Sequence, residues 1–128
     1  MTLTFIHNRL AVTALVFAAI CTIWGFVNFL RNRPVGGSYW GTLVIMEVLV
    51  VGQSAVGLIL LLSGGHLART VVHLLYGATA VLSLPAAYVY TSGRDSRREN
   101  LVYALVCLWL FFIIERGITT GLETVAPA

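Results

Sequence analysis

The side chains able to do proton, ligand or redox chemistry are few in this 128-residue chain: three histidines, two cysteines, five acidic groups and five tyrosines. His7 and His73 are the pair with the most specific potential. Histidine is the common axial ligand of haem iron, so one from each of two helices would hold a b-type haem. The same imidazoles would also suit a pigment or the carbonyls of a quinone headgroup. Glu47 and Gln53 lie inside an apolar run. An ionisable side chain at mid-membrane costs about 2.5–3.5 kcal/mol on insertion scales, so Glu47 needs a partner or a job. Counted from the start of the apolar run at Thr42, Glu47 is about 8 Å inside its helix. That depth offers Trp24, Asn28, Tyr88, Tyr103 or a snorkelling Arg31 as partners, and otherwise a proton or cation site. Gln53 is expected to bond to a neighbouring helix or to a partner chain. Glu115 and Arg116 are expected as an interfacial pair at the same membrane edge as His7 and His73.

Other chemistries lack their residues. There is no nucleophile–base constellation, no glycine-rich phosphate loop, no H-E-x-x-H and no carboxylate dyad, so an enzyme acting alone is not expected. Cys21 and Cys107 each sit in an apolar run with no C-x-x-C, which makes them small buried hydrophobes rather than a thiol–disulfide pair. His66 falls on a loop and reads as solvated. No two histidines stand three or four residues apart on one helix, so no metal site is expected.

The elements that must position these residues are set by composition. Hydrophobic residues make up 59% of the chain, charged residues only 10%, and the mean hydropathy is +0.91. A chain this short cannot bury so much apolar surface in one small core, which excludes a soluble globular domain and places it in lipid. Four apolar runs stand out, and about 20 residues at 1.5 Å each cross a ~30 Å hydrocarbon core. In lipid every backbone polar group needs an internal partner, and these runs lack the alternation of a barrel strand. The expected fold is therefore all-α: an integral membrane four-helix bundle forming a single domain over 1–128, with helices at about 5–30, 41–63, 69–90 and 100–118. Pro85 removes one hydrogen bond from the third helix, so a kink or loosening is expected near Ala80–Pro85. The fourth run meets Glu115 and Arg116 after 14 residues, so its helix must continue through ERGITTGL or let its ends snorkel. The first run has only Arg9 before it and is too long for a signal-peptide core, so it is read as retained.

All eight basic residues are arginines, and they sit at the ends of the apolar runs rather than in one patch, which argues against nucleic acid as a partner. The first and third connections carry five of them and the opposite side three. The positive-inside rule then puts both termini on the non-cytoplasmic side, with a bacterial inner membrane as the expected location.

Helices 1 and 3 echo each other at an offset of 66 residues: His7 with His73, Ala11 with Gly77, Ala14 with Ala80, Cys21 with Ala87. The steps of four, three and seven lie on one stripe of a helix, so the chain reads as two related hairpins, each with a histidine above small side chains. Such a stripe lets helices approach closely, or leaves room for a flat macrocycle. The segments HLLYG (His73–Gly77), LPAAYVYTSGRDSRRE (Leu84–Glu99) and TTG (Thr119–Gly121) resemble those of small four-helix membrane proteins of filamentous phototrophic bacteria. That resemblance transfers no catalytic or binding residue, and it implies a respiratory or photosynthetic setting. Short loops and absent catalysis lead to the expectation of a small accessory subunit of a membrane energy-converting complex, whose partners are lipid and other membrane subunits. The alternatives are a haem- or quinone-binding electron-transfer protein using His7 and His73, and a small proton- or cation-coupled transporter using Glu47. Small multidrug-resistance proteins share the length and helix number, but their carboxylate lies in the first helix, so no residue is carried over.

Overall fold

The computed structural model describes residues 3–63 and 70–122, and only the backbone of Thr70 and of 120–122. His66 and Arg69 lie outside the described residues. Four helices are present and no strand occurs among the described residues: α1 (Leu3–Leu30), α2 (Gly37–Leu62), α3 (Thr70–Thr91) and α4 (Arg97–Leu122). Each is long and apolar enough to cross a membrane, so the chain is an all-α integral membrane four-helix bundle. The apolar side chains left on the outside, such as Ile23, Val48, Leu75 and Leu105, are the lipid-facing surface of such a bundle.

Buried positions recur at steps of three and four on every helix. They are Ala11, Ala14, Ala18, Cys21, Gly25 and Asn28 on α1, and Tyr39, Leu43, Met46 and Val50 on α2. On α3 they are Ala80, Leu84 and Ala87, and on α4 Tyr103, Cys107, Leu110 and Ile113. One stripe of each helix therefore faces the bundle axis. Helices α1 and α4 approach each other most extensively and α2 and α3 least of the adjacent pairs, while the backbones of the diagonal pairs α1/α3 and α2/α4 stay apart among the described residues. Small residues explain the close pair. Gly25 meets the Ala104 side chain and the Asn100 carbonyl, and Cys21 and Cys107 touch each other at the same interface. Tyr39 ties α2 in by donating to the Cys21 carbonyl at 2.7 Å.

Three element ends differ from the sequence expectation. Helix α2 begins at Gly37, so Tyr39 and Trp40 are helical rather than part of a loop. Helix α4 begins at Arg97 because Ser96 and Glu99 form a capping box: the Ser96 amide donates to the Glu99 carboxylate at 3.2 Å, and the Ser96 hydroxyl donates to the same oxygen. It also runs on to Leu122 instead of stopping near 118, so Glu115 and Arg116 ride on the helix. Pro85 does not interrupt α3, which continues to Thr91.

Both α1 and α3 end in Schellman motifs. Asn32 takes a φ of 56°, with Arg33 N–H donating to the Asn28 carbonyl at 2.9 Å. Ser92 takes a φ of 53°, with Gly93 N–H donating to the Tyr88 carbonyl at 3.2 Å. The two turns are then stitched together. Val35 N–H donates to the Asp95 carbonyl at 2.8 Å, Asn100 Nδ2 to the Arg33 carbonyl at 2.8 Å, and Arg97 Nε to the Phe29 carbonyl at 2.7 Å. The arginine-rich connections thus form one rigid end of the bundle, and the histidines lie at the other.

Candidate functional site

At the end where α1 begins and α4 ends, His7 on α1 and His73 on α3 meet across the bundle diagonal. Their ring centroids are 6.3 Å apart and the planes are inclined by 67°. They are neighbours although the backbones of their helices stay apart, because the two rings reach toward each other across the bundle. The other two helices complete the cluster. Gln53 of α2 places its amide nitrogen 3.5 Å from His7 Nε2. Gly57, one turn further along α2, leaves the space the His7 ring occupies: a Cβ there would stand 2.8 Å from His7 Cε1. The His73 ring engages the backbone of Gly117 on α4.

The cluster is incompletely satisfied. His7 Nδ1 and Gln53 Oε1 are buried and have no hydrogen-bond partner among the described residues. Which end of an amide is oxygen is an assignment rather than an observation, and exchanging the ends of Gln53 puts its carbonyl beside His7 Nε2. Nε2–H then donates to Gln53, and the Nδ1 lone pair is left buried and unused. A liganding imidazole commonly has this pattern, one nitrogen oriented by a carbonyl and the other kept for the ligand.

The sequence expectation put His7 and His73 at one membrane edge and Gln53 nearer mid-membrane, bonded to a neighbouring helix or another chain; the structure brings the two histidine rings together. The structure brings Gln53 to His7, so it belongs to the same cluster. Glu115 and Arg116 do not join it. Both are exposed and form no ion pair with each other among the described residues, because consecutive helix positions point about 100° apart. Gly57 and Gly117 were not legible as site residues, since a glycine's role depends on what stands across from it.

Glu47 lies elsewhere, on the α2–α3 side of the bundle. With α2 starting at Gly37 it is ten residues into the helix, about 15 Å from its end rather than 8 Å. Its Oε1 is buried without a hydrogen-bond partner among the described residues. The expected bond to Trp24, Asn28, Tyr88, Tyr103 or Arg31 is not formed. Trp24 instead packs on Tyr39 with centroids 5.4 Å apart, and Tyr103 shares a hydrogen bond with Thr91 at 3.2 Å. Glu47 opens into a groove of about 170 Å3 between α2 and α3, walled by Trp40, Pro85, Tyr88 and Tyr103. A larger groove of about 560 Å3 between α3 and α4 is lined mainly by apolar side chains. Its Ser83 hydroxyl is already bonded to the Thr79 carbonyl at 2.6 Å.

No group of three or more histidine, cysteine or acidic side chains is placed to hold a bare metal ion among the described residues. The chain matches no protein-family model, no curated protein and no solved structure.

Proposed function

We propose that this protein holds a redox-active prosthetic group, a b-type haem, between His7 and His73, and serves as a small electron-transfer subunit of a membrane energy-converting complex. The observation that carries this is the imidazole pair brought together from two helices, with ring centroids 6.3 Å apart. Two metal–nitrogen bonds of about 2 Å each, plus the two ring radii, span the same distance. The surroundings support it: Gln53 and the Gly117 backbone orient the two rings, and His7 Nδ1 is a buried lone pair without another use. Ala11, Gly77 and Gly117 supply the small side chains a macrocycle needs beside its ligands. A haem there would supply one-electron transfer at one face of the membrane. The chain's own role is to hold the ligands, exclude water and present the group to a neighbour. A location in the bacterial inner membrane, with both termini non-cytoplasmic, fits the arginine distribution.

The test is a visible absorption spectrum of the chain purified from cells supplied with haem, together with a haem-to-protein ratio. One haem per chain and a Soret band are expected. His7→Ala or His73→Ala should abolish the band, and Gln53→Leu should weaken haem retention about 10–100-fold, as loss of an orienting partner does. A colourless protein that also fails to take up added haemin would show that the pair is a packing contact alone. Co-migration with redox-active subunits on a native gel of the parent membrane tests the subunit assignment.

A further inference from the structure

The second unsatisfied group, Glu47, is far from the histidines and stands in a different environment. Trp40, Leu43, Val44 and Glu47 follow the i, i+3, i+4, i+7 pattern and make one face of α2. Opposite them α3 contributes Pro85 and Tyr88, and α4 contributes Tyr103. Trp40 is held edge-on to both tyrosines, with centroids 5.8 Å from Tyr88 and 5.2 Å from Tyr103. The groove therefore has a carboxylate at one end and, toward the other, Trp40 braced against two tyrosine rings. Trp40 and Glu47 are two helical turns apart, about 10.5 Å along the axis. The groove is open sideways to the bilayer, since Val44 and Tyr88 are both more than half exposed.

We infer that this groove is a binding site for an amphiphilic organic ammonium ion, its cationic head between Glu47 and the aromatic rings and its hydrocarbon body in the lipid. Aromatic faces attract a cation within about 6 Å, and cages of such rings are the usual receptors for quaternary ammonium groups. The carboxylate adds the charge complement, and no arginine or histidine pairs with it among the described residues. A hard metal cation is a poor fit, because it needs about six oxygen ligands and the groove offers one carboxylate and the tyrosine hydroxyls. Access from the membrane rather than from water selects for a ligand with an apolar tail.

The experiment is equilibrium dialysis of labelled dodecyltrimethylammonium against the purified full chain in dodecyl maltoside, with protein-free micelles as the blank. One saturable equivalent above the blank is expected, and chain-matched dodecyl sulfate should give none. Glu47→Gln should weaken binding by about tenfold or more, and Tyr88→Leu by about three- to tenfold. Glu47→Asp, which keeps the charge, should bind better than Glu47→Gln. Absence of saturable binding by the folded wild-type chain overturns the inference. So does affinity unchanged within about twofold in a helical, monodisperse Glu47→Gln variant. Should Glu47→Gln not fold, unchanged affinity in Tyr88→Leu overturns it instead.

Discussion

Gly25→Ala adds one methyl group where α1 comes closest to its neighbours. The new Cβ would collide with the Tyr39 hydroxyl, stand 2.9 Å from the Ala104 Cβ and lie 3.1 Å from the Asn100 carbonyl. Ala104 and the Asn100 backbone belong to α4 and cannot swing aside, so either the α1–α4 pair separates or the Tyr39 ring moves. Overpacking of this kind costs about 1–3 kcal/mol. Moving Tyr39 also breaks its hydrogen bond to the Cys21 carbonyl and leaves a fully buried hydroxyl unpaired, about 1–3 kcal/mol more. Alanine's better helix propensity returns about 1 kcal/mol. The net expectation is a loss of about 1–5 kcal/mol. Gly41→Ala is the matched control, since a Cβ there meets nothing within 4 Å and only the propensity gain of up to about 1 kcal/mol remains. The assay is reversible unfolding in mixed micelles titrated with dodecyl sulfate, followed by circular dichroism. A Gly25→Ala variant as stable as wild type would refute the close approach of α1 and α4 at this level.

Glu47→Leu should raise stability in the same assay by about 1–3 kcal/mol, because it removes a buried oxygen that has no partner; a loss would reveal a hydrogen bond to the carboxyl. Arg97→Ala should cost about 1 kcal/mol, since Arg97 both caps the Phe29 carbonyl at 2.7 Å and lies 3.9 Å over the Phe29 ring, and both contacts are solvent-screened. No change would mean that the stitching of the two turns rests on Val35 and Asn100 alone. Cysteines placed at Ser38 and Asp95 should resist a membrane-impermeant thiol reagent in intact cells and react after lysis, the two cysteines already in the chain being buried. Labelling of intact cells would invert the orientation.

The sequence by itself determined the fold class. Its apolar runs can satisfy their backbones in lipid only as helices, and their lengths and the arginine-rich connections set four spans and where they turn. It also marked His7, His73 and Glu47, because polar groups in lipid are costly enough to stand out against any apolar run. The stripe of Ala11, Ala14 and Cys21 was legible because helical periodicity is local. Tertiary structure alone decided which stripes meet. Gln53 joined His7, Cys21 met Cys107, and Trp40 met Tyr88 and Tyr103, because contacts between helices depend on rotation and axial shift, to which sequence spacing within one helix is blind. Helix ends moved for a related reason. The start of α4 at Arg97 rests on the Ser96–Glu99 box, and the turns beside it are held by bonds that cross between connections sixty residues apart. The bond expected for Glu47 was absent because the rings at its depth were already committed, Trp24 to Tyr39 and Tyr103 to Thr91. Only the assembled bundle shows that its carboxylate faces a groove instead of a partner.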